Sequence, residues 1–258
     1  MRIEKSVVLI TGASRGIGAA CASVFRARGA RLALAARSED LLKAVARPDE
    51  LVAAGDVTRD DERARIVERT LERFGRVDIL INNAGVGLYA PAWRAPLADA
   101  RRMFDLNFFA ALGMIQLVVP AMRAGGGGTI VNVGSVAGKM TLPWFTLYSS
   151  TKYALGSLSD GLRMELRRDR IRVMQVCPGY VQTGFQQHVL DGRPPGRIQR
   201  GRKMAITAEQ CAEAIARGVE RDARTVIAPA WLWAAIAVAR LFPGPFDRYL
   251  AGIYDEAG

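Results

Sequence analysis

A tyrosine and a lysine four residues apart are the first candidates for chemistry in this sequence. They are Tyr148 and Lys152, in the segment YSSTK. Residues four apart lie on one face of a helix, so both side chains can face the same site. A free tyrosine has a pKa of about 10, too high for an efficient base at neutral pH, and a nearby ammonium group lowers it. The pair is either an exposed helix pair or an acid–base centre, and its spacing alone does not decide.

A glycine-rich segment near the N-terminus has a spacing suited to binding phosphate. The segment TGASRGIG follows the apolar run 7–10 and contains Gly12, Gly16 and Gly18. Gly12 permits a tight turn, Gly16 lets a phosphate approach the backbone, and Gly18 lets the next helix pack closely on the sheet. Free N–H groups at the start of that helix attract an anion. The pattern favours a dinucleotide site over a tight turn that binds nothing.

The residues after the second predicted strand indicate which dinucleotide would bind. A protein that prefers NAD places an acidic residue near this point to bond the ribose 2′-hydroxyl. Here Arg37 and Ser38 follow the segment LALAA, and Arg15 lies within the glycine-rich turn. A guanidinium can hold a phosphate through two hydrogen bonds, whereas a carboxylate repels it. The arginines favour NADP through its 2′-phosphate, although both can also be ordinary surface residues.

Apolar runs alternate with helical patterns along most of the chain, as in βαβ units. The predicted strands are 7–10, 32–36, 51–54, 77–81, 129–133, 171–176 and 225–228. The predicted helices are 17–28, 41–46, 60–74, 97–123 in two pieces, 146–168 and 207–221. Several strands are continuous apolar runs, as expected when both faces of a parallel sheet are covered. The sequence therefore predicts a single α/β domain over residues 1–258, with helices on both faces of a parallel sheet.

Two segments do not follow this alternation. Residues 182–206 are polar and rich in Gly, Pro and Arg, and they are too long for a simple connection. Such a loop in a compact domain is usually a lid or a binding segment. Residues 229–258 form an apolar C-terminal extension, in which a helix closed by PGP at 243–245 is predicted. Three locations stay open for it: over the substrate cleft, at a subunit interface, or in a membrane surface.

Composition and charge exclude several classes of function. The chain has one histidine, His188, and three widely separated cysteines. Neither a metal site built on several histidines nor a disulfide framework is expected, and a cytoplasmic location fits best. The net charge of +11 is scattered over the chain without a stripe of interleaved aromatic residues, so nucleic-acid binding is not predicted. Attraction to phosphorylated ligands or anionic lipid stays open.

Six motifs occur in an order that resembles one family, the short-chain dehydrogenases/reductases. They are TGASRGIG at 11–18, NNAG at 82–85, Asn107 in DLNFFA, Ser135 in VNVGSVAG, YSSTK at 148–152 and PGYVQT at 178–183. The resemblance covers residues 5–228. It implies a Rossmann-type, doubly wound sheet of about seven strands. It also implies a homodimer or homotetramer assembled through helices near 106–123 and 146–168, and it makes 182–206 the substrate loop.

The resemblance implies roles for individual residues as well. Tyr148 resembles the general acid–base, and Lys152 the residue that lowers the tyrosine pKa and holds the nicotinamide ribose. Ser135 resembles the donor that polarises the carbonyl, and Asn107 the member that supports a water-linked proton path behind the lysine. With the turn and the arginines, the expected cofactor-binding set is Gly12, Ser14, Arg15, Gly16, Ile17, Gly18, Arg37, Ser38, Asp56, Val57, Asn83, Ala84, Gly85, Tyr148, Lys152, Pro178, Gly179 and Thr183.

These residues predict hydride transfer between NADP(H) and a carbonyl or secondary alcohol, with no metal. Tyr148 and Ser135 can both donate to the oxygen that gains negative charge. Similar apolar tails occur in family members that handle lipids, steroids or retinoids, so a hydrophobic substrate is expected. Trp93, Trp144 and Phe145 either line its pocket or only pack, and His188 is a surface loop histidine or a substrate contact. The alternatives are epimerisation or dehydration on the same scaffold, and a dinucleotide sensor without turnover.

Overall fold

Seven parallel strands form the central sheet of the protein. The computed structural model describes residues 2–187, 189–190 and 204–254. The strands are, in chain order, β1 (Val7–Thr11), β2 (Arg31–Ala36), β3 (Leu51–Ala54), β4 (Ile79–Asn82), β5 (Gly128–Val133), β6 (Ile171–Pro178), β7 (Val181–Gln182), β8 (Ile206–Thr207) and β9 (Thr225–Ala228). The sheet has the order β3-β2-β1-β4-β5-β6-β9, and β7 pairs with β8 apart from it. The winding reverses between β1 and β4, where open sheets of this kind form a crevice for a ligand.

Helices connect these strands. They are α1 (Gly16–Ala27), α2 (Glu39–Val45), α3 (Asp60–Phe74), α4 (Leu97–Phe104), α5 (Ala110–Ala124), α6 (Thr146–Glu165), α7 (Ala208–Glu220), α8 (Leu232–Leu241) and α9 (Pro243–Tyr254). A π-helical turn, Asp105–Phe109, joins α4 to α5. Short 3₁₀ turns lie at Val136–Gly138 and Gly184–Gln187.

The core lies in two apolar layers, one on each face of the sheet. Successive side chains of a strand point to opposite faces. Ile10 of β1 belongs to the layer that contains Phe25 of α1, and Leu9 belongs to the layer that contains Val118 of α5. Helices α1 and α7 therefore cover one face, while α3 and α5 cover the other. The prediction of a single parallel α/β sheet with helices on both faces is confirmed.

The predicted strands and helices are all present, with ends shifted by a few residues at most. A capping box begins α7: the Thr207 hydroxyl accepts from the Gln210 backbone N–H at 3.1 Å, and the Gln210 side chain accepts from the Thr207 N–H at 2.9 Å. The region 97–123 is helical in two pieces, as expected. Its interruption is a π turn, a feature that frequently marks functional sites.

One helical run among the described residues, Leu97–Ala124, has the length and apolar composition needed to cross a membrane. Met114 and Val118 of this run are buried against the sheet. A core helix has the same length and composition, so the run carries no prediction of a membrane span.

The predicted substrate loop, 182–206, has a framework that sequence patterns did not indicate. It begins in β7 and ends in β8, which pair in parallel with Val181 opposite Ile206 and Gln182 opposite Thr207. The Gln182 side chain also donates to the Ala205 carbonyl at 3.2 Å. The two ends of the loop are thereby joined. His188 and residues 191–203 lie outside the described residues.

The helix predicted to end at PGP is present, and a further helix that was not predicted follows it directly. Helix α8 ends at Leu241, and a second helix, α9, begins at Pro243. Proline is favoured at the first helical position because it needs no N–H partner there and its φ angle is already helical. The same residues that end one helix therefore start the next. Residues 255–258 of the extension lie outside the described residues.

Candidate active site

A cavity of about 300 Å³ opens at the carboxyl ends of β1, β4, β5 and β6. Most of the predicted site residues meet there. Those that line the cavity are Gly12, Arg15, Gly16, Ile17, Asn83, Ala84, Gly85, Ser135, Tyr148, Lys152, Pro178, Gly179 and Thr183. Those that do not line it are Ser14, Gly18, Arg37, Ser38, Asp56, Val57 and Asn107.

The glycine positions of the glycine-rich turn either have no room for a Cβ atom or suit glycine by their φ angle. Gly12 and Gly16 have φ angles of +64° and +54°, a left-handed conformation that suits glycine. A Cβ at Gly18 would lie 2.2 Å from the Gly12 carbonyl oxygen, and a Cβ at Gly12 would lie 2.9 Å from the side-chain amide of Asn83. Backbone from α1, β1 and the segment after β4 therefore meets at van der Waals contact. The N-terminus of α1, at Gly16 and Ile17, borders the cavity.

Asn83 and Thr11 hold this turn against the end of β4. The Asn83 side chain donates to the carbonyls of Thr11 at 3.0 Å and Gly12 at 3.1 Å. The Thr11 hydroxyl accepts from the N–H groups of Asn83 at 3.0 Å and Ala84 at 3.1 Å. Asn83 thus positions the backbone of the turn.

The remaining predicted cofactor residues lie farther out along the same edge of the sheet. Arg37 and Ser38 follow β2, and Arg37 is exposed. Asp56 and Val57 follow β3. The Asp56 carboxylate accepts from the N–H of Thr58 at 2.9 Å and from its hydroxyl at 2.8 Å. Since β2 lies beside β1 and β3 beside β2, all four residues extend the row of strand ends that starts at the glycine-rich turn.

Ser135 and Tyr148 both border the cavity. Ser135 follows β5, and its hydroxyl accepts from the Ala137 N–H at 3.1 Å. Burial raises the pKa of Tyr148 well above its usual value, and the Ser135 hydroxyl lowers it only in part. Desolvation of the phenolate sets the net direction of this shift, and the expectation that Lys152 lowers the pKa of Tyr148 stays a prediction.

Lys152 lies one helical turn after Tyr148 on α6 and is 4% exposed. Its Nζ donates to the Val133 carbonyl at 3.0 Å and lies 5.6 Å from the centre of the Tyr148 ring. Burial lowers the pKa of Lys152 to about 8. The tyrosine and the lysine thus face one site, as their spacing predicts, and the ammonium is held by the end of β5.

Asn107 lies in the π turn, behind the cavity, and its side chain is fully bonded. Its amide group donates to the Val86 carbonyl at 2.9 Å and to the Thr151 hydroxyl at 3.0 Å, and its oxygen accepts from the Val86 N–H at 2.8 Å. Asn107 therefore ties the segment after β4 to helix α6. The water-linked proton path remains a prediction.

Aromatic rings form the other end of the cavity, and sequence reasoning found only one of them. Phe145 stacks on Tyr148 at 4.2 Å between ring centres and on Tyr89 at 4.5 Å. Phe185 meets Tyr148 edge-on at 5.8 Å. Of the two alternatives open for Trp93 and Trp144, lining of the pocket is not observed, since neither borders the cavity and Trp93 is 77% exposed.

Tyr89 and Phe185 carry no motif, so the sequence offers no signal that would have found them. Their proximity to Tyr148 depends on how separate loops fold together. Within the described residues, no three His, Cys, Asp or Glu side chains cluster as they would around a metal ion.

Comparisons with known proteins agree with this arrangement. A family model described as short chain dehydrogenase matches residues 6–194. Uncharacterized oxidoreductase YxnA of Bacillus subtilis (strain 168) is 32% identical over 266 residues, covering 98% of this chain and 73% of the relative. A short chain dehydrogenase from Burkholderia cenocepacia J2315 in complex with NADP has a TM-score of 0.83 at 28% identity, with 97% and 99% of the two chains covered. A 7 alpha-hydroxysteroid dehydrogenase, complexed with NADH and 7-oxo glycochenodeoxycholic acid, has a TM-score of 0.80 at 26% identity, with 88% and 93% covered.

Proposed function

Since this chain belongs to the short-chain dehydrogenase family, we propose that it transfers a hydride between NADP(H) and the carbonyl carbon of an apolar ketone. Family membership makes it an oxidoreductase that acts on CH–OH or C=O groups with a nicotinamide dinucleotide. The observation that carries the proposal is the convergence of Ser135, Tyr148 and Lys152 in the same cavity as the glycine-rich turn.

The residues at the glycine-rich turn fit a dinucleotide. A Cβ at Gly18 would clash with the Gly12 carbonyl oxygen, and a Cβ at Gly12 would clash with Asn83 and Ala84, so the close turn depends on glycine at both positions. The N–H groups at the start of α1 would hold the pyrophosphate, because a helix N-terminus attracts anions. Gly179 and Thr183 would contact the nicotinamide side. When bound, NADPH supplies the hydride.

Two arginines support NADP as the preferred cofactor. Arg15 borders the cavity beside the glycine-rich turn, and Arg37 lies exposed directly after β2. Arg37 and Ser38, rather than an acidic residue, directly follow β2. Glu39 is paired with Lys43 on α2. The two related structures contain NADP in one case and NADH in the other. The choice therefore rests on this chain's own arginines.

Tyr148 and Ser135 supply the proton chemistry in this proposal. Both hydroxyls can donate to the carbonyl oxygen as it gains negative charge, and Tyr148 can then protonate it. Burial raises the pKa of Tyr148, so the phenol stays protonated at neutral pH, as a general acid must. Lys152 holds a positive charge beside the ring below a pH of about 8. The arrangement favours carbonyl reduction as the direction.

An apolar substrate is supported by the rings around Tyr148. Phe145 stacks on Tyr148 and on Tyr89, and Phe185 meets Tyr148 edge-on. The charged residues that border the cavity in the described part of the chain are Arg15 and Lys152. Arg15 lies at the cofactor end, and Lys152 is bonded to Val133. A substrate that bears no charge near its carbonyl suits these surroundings.

The test is oxidation of NADPH, with NADH in parallel, against ketones and aldehydes from small metabolites to steroids. Turnover with NADPH that is lost in Tyr148→Phe supports the proposal, with a loss of about 10³-fold expected for removal of the general acid. A preference for NADH contradicts the cofactor choice. Tight NADPH binding by both proteins without turnover of any carbonyl favours the dinucleotide sensor, and an epimerised or dehydrated product favours the other alternative.

Self-assembly remains a proposal as well. Leu97, Phe109 and Tyr153 are exposed on α4, the π turn and α6. Burial of such side chains between two copies of the chain would favour a homodimer or homotetramer. Light scattering after size exclusion checks this, and a monomer at micromolar concentration contradicts it.

Contact with a membrane through the extension 229–258 is a further proposal about partners. Trp233, Leu241 and Phe242 are exposed there, and the net charge of +11 would draw the chain toward anionic lipid. Flotation with anionic liposomes at low salt tests it, with Trp233→Glu as the variant and Leu97→Glu as the control on another surface. Wild-type protein that stays unbound rejects membrane contact, as does equal loss of flotation in both variants. A cytoplasmic location also remains a prediction.

A further inference from the structure

We propose that Phe145, Gly87 and Phe185 form a steric wall that restricts one substituent of the carbonyl carbon to a small apolar group such as methyl. The inference rests on the proposed function and names the substrate class more narrowly: apolar ketones with one small and one large substituent. Phe145 and Phe185 would then be specificity-determining residues, and Gly87 the spacer that keeps them close. Both phenylalanine rings contact the ring of Tyr148.

Gly87 lies between the two phenylalanine rings. A Cβ at Gly87 would lie 3.1 Å from Cε2 of Phe145 and also 3.1 Å from Cε1 of Phe185. These two ring atoms are therefore at most twice that distance apart. A carbon atom in contact with both rings needs about 3.5–4.0 Å on each side. No substrate group can pass between the rings at this point, so they act as one continuous surface with Gly87.

The same two rings enclose the ring of Tyr148. Phe145 stacks on it with 4.2 Å between centres and 25° between planes. Phe185 meets it at 5.8 Å and 61°. The carbonyl oxygen must reach the Tyr148 hydroxyl, so the carbonyl carbon and its substituents lie next to these rings. One substituent faces the wall, and the rest of the cavity is left to the other.

Backbone contacts from three segments hold the wall in place. The Leu190 N–H donates to the Gly87 carbonyl at 2.9 Å, and the Ala90 N–H donates to the Trp144 carbonyl at 2.9 Å. Trp144 has a φ angle of +63°, a strained conformation for a bulky residue, and it immediately precedes Phe145. These main-chain bonds fix the backbone positions from which Gly87 and Phe145 contact each other.

Phe185 connects the wall to the cofactor side of the cavity. Its N–H donates to the Thr183 hydroxyl at 3.3 Å. The Thr183 methyl group lies 3.2 Å from where a Cβ of Gly16 would be. The ring that limits the substrate is therefore two residues from the side chain that touches the glycine-rich turn.

The experiment compares two probe ketones, acetophenone and butyrophenone, which differ only in a methyl against a propyl substituent. We expect the wild type with NADPH to prefer acetophenone by at least about tenfold in kcat/KM, since even one misfit methylene changes discrimination by about 10-fold or more. Phe185→Ala should bring the two values within about threefold. Gly87→Ala should widen the preference, because its methyl group presses both rings toward the substrate. Phe246→Ala, on α9, is the matched control and should keep the wild-type ratio.

Equal turnover of the two ketones by the wild type would overturn the inference, and so would an unchanged ratio in Phe185→Ala. Loss of the ratio in Phe246→Ala would overturn it as well, by showing that the effect is not local. If the wild type reduces neither ketone with either nucleotide, the proposed function fails. The wall is then judged by binding of both ketones to NADPH-saturated Tyr148→Phe, followed by nucleotide fluorescence. Tighter binding of acetophenone would support the wall, and equal affinities would reject it.

Discussion

The two ends of the cavity are built on different physical principles. At the glycine end, Gly12 and Gly16 border the cavity with positive φ angles, and Gly18 packs behind them, where a Cβ would lie 2.2 Å from the Gly12 carbonyl oxygen. At the aromatic end, formed by Tyr89, Phe145 and Phe185, side chains meet side chains at ring distances of 4.2–5.8 Å.

This difference explains why the residues of the glycine end, and not those of the aromatic end, can be identified from the sequence. Main-chain atoms cannot move without moving a strand or a helix, so the glycine end accepts essentially one residue type at each position. Rings can be exchanged for other apolar groups with moderate cost when volume is kept. The glycine end is therefore suited to a cofactor common to many enzymes, and the aromatic end to a substrate particular to this one.

The two ends should differ most in how much the free energy of unfolding falls when a methyl group is added at each. Gly18→Ala would force its Cβ into the Gly12 carbonyl and the Asn83 amide, 2.2 and 2.6 Å away. Overpacking against backbone should lower the free energy of unfolding by about 2 kcal/mol or more. Affinity for NADPH should fall with it.

Gly87→Ala, the matched change at the aromatic end, has ring atoms as its nearest neighbours at 3.1 Å, and because rings shift more easily than backbone it should cost only about 1 kcal/mol. Urea denaturation and NADPH titration of both variants provide the comparison. Equal stability losses would show that backbone and side-chain contacts constrain the two ends alike.

A smaller effect is expected from Lys152→Met, which removes the buried charge between the two ends. Burial lowers the pKa of Lys152 from 10.5 to about 8. Between these values the unfolded chain binds more protons than the folded one, so this lysine makes stability rise with pH from about 8 to 10.5. Lys152→Met should therefore be more stable than wild type at pH 7, by about 1–3 kcal/mol. Loss of the bond to Val133 offsets part of this gain.

The difference in unfolding free energy between Lys152→Met and wild type should shrink as pH rises through that window. Denaturant unfolding at pH 7 and at higher pH measures it, and activity should be lost throughout. A methionine variant less stable than wild type at pH 7 would mean that the bond to Val133 outweighs desolvation.

The smallest expected effect lies beyond the glycine end. Arg37→Ala removes a guanidinium proposed to meet the 2′-phosphate, so KM for NADPH should rise about five- to tenfold while KM for NADH stays unchanged. Arg47→Ala, another exposed arginine, is the control and should change neither value. Equal changes for both nucleotides would remove Arg37 from cofactor selection.

Most of the fold could be predicted from the sequence, because the signals are local. The apolar runs of β1 to β6 lie between helical patterns, and the capping box at Thr207 is complete within four residues. The start of α9 could not be predicted, because proline is found both after the end of a helix and at the first position of one, and Pro243 occupies both places here. The pairing of β7 with β8 joins residues about 25 positions apart and leaves no local pattern.

The sequence by itself determined the residues at positions where the function accepts few other residue types. Backbone geometry sets the spacing of the three glycines in the turn and of Tyr148 and Lys152, so these residues can be identified from the sequence. The arginines near the glycine-rich turn can be identified in the same way. The tertiary structure alone decided the surroundings of Tyr148. Gly87, Phe145 and Phe185 come from three distant segments, and only their packing creates the wall and the apolar burial that raises the pKa of the tyrosine. Desolvation depends on every neighbour at once, so no short stretch of sequence can encode it.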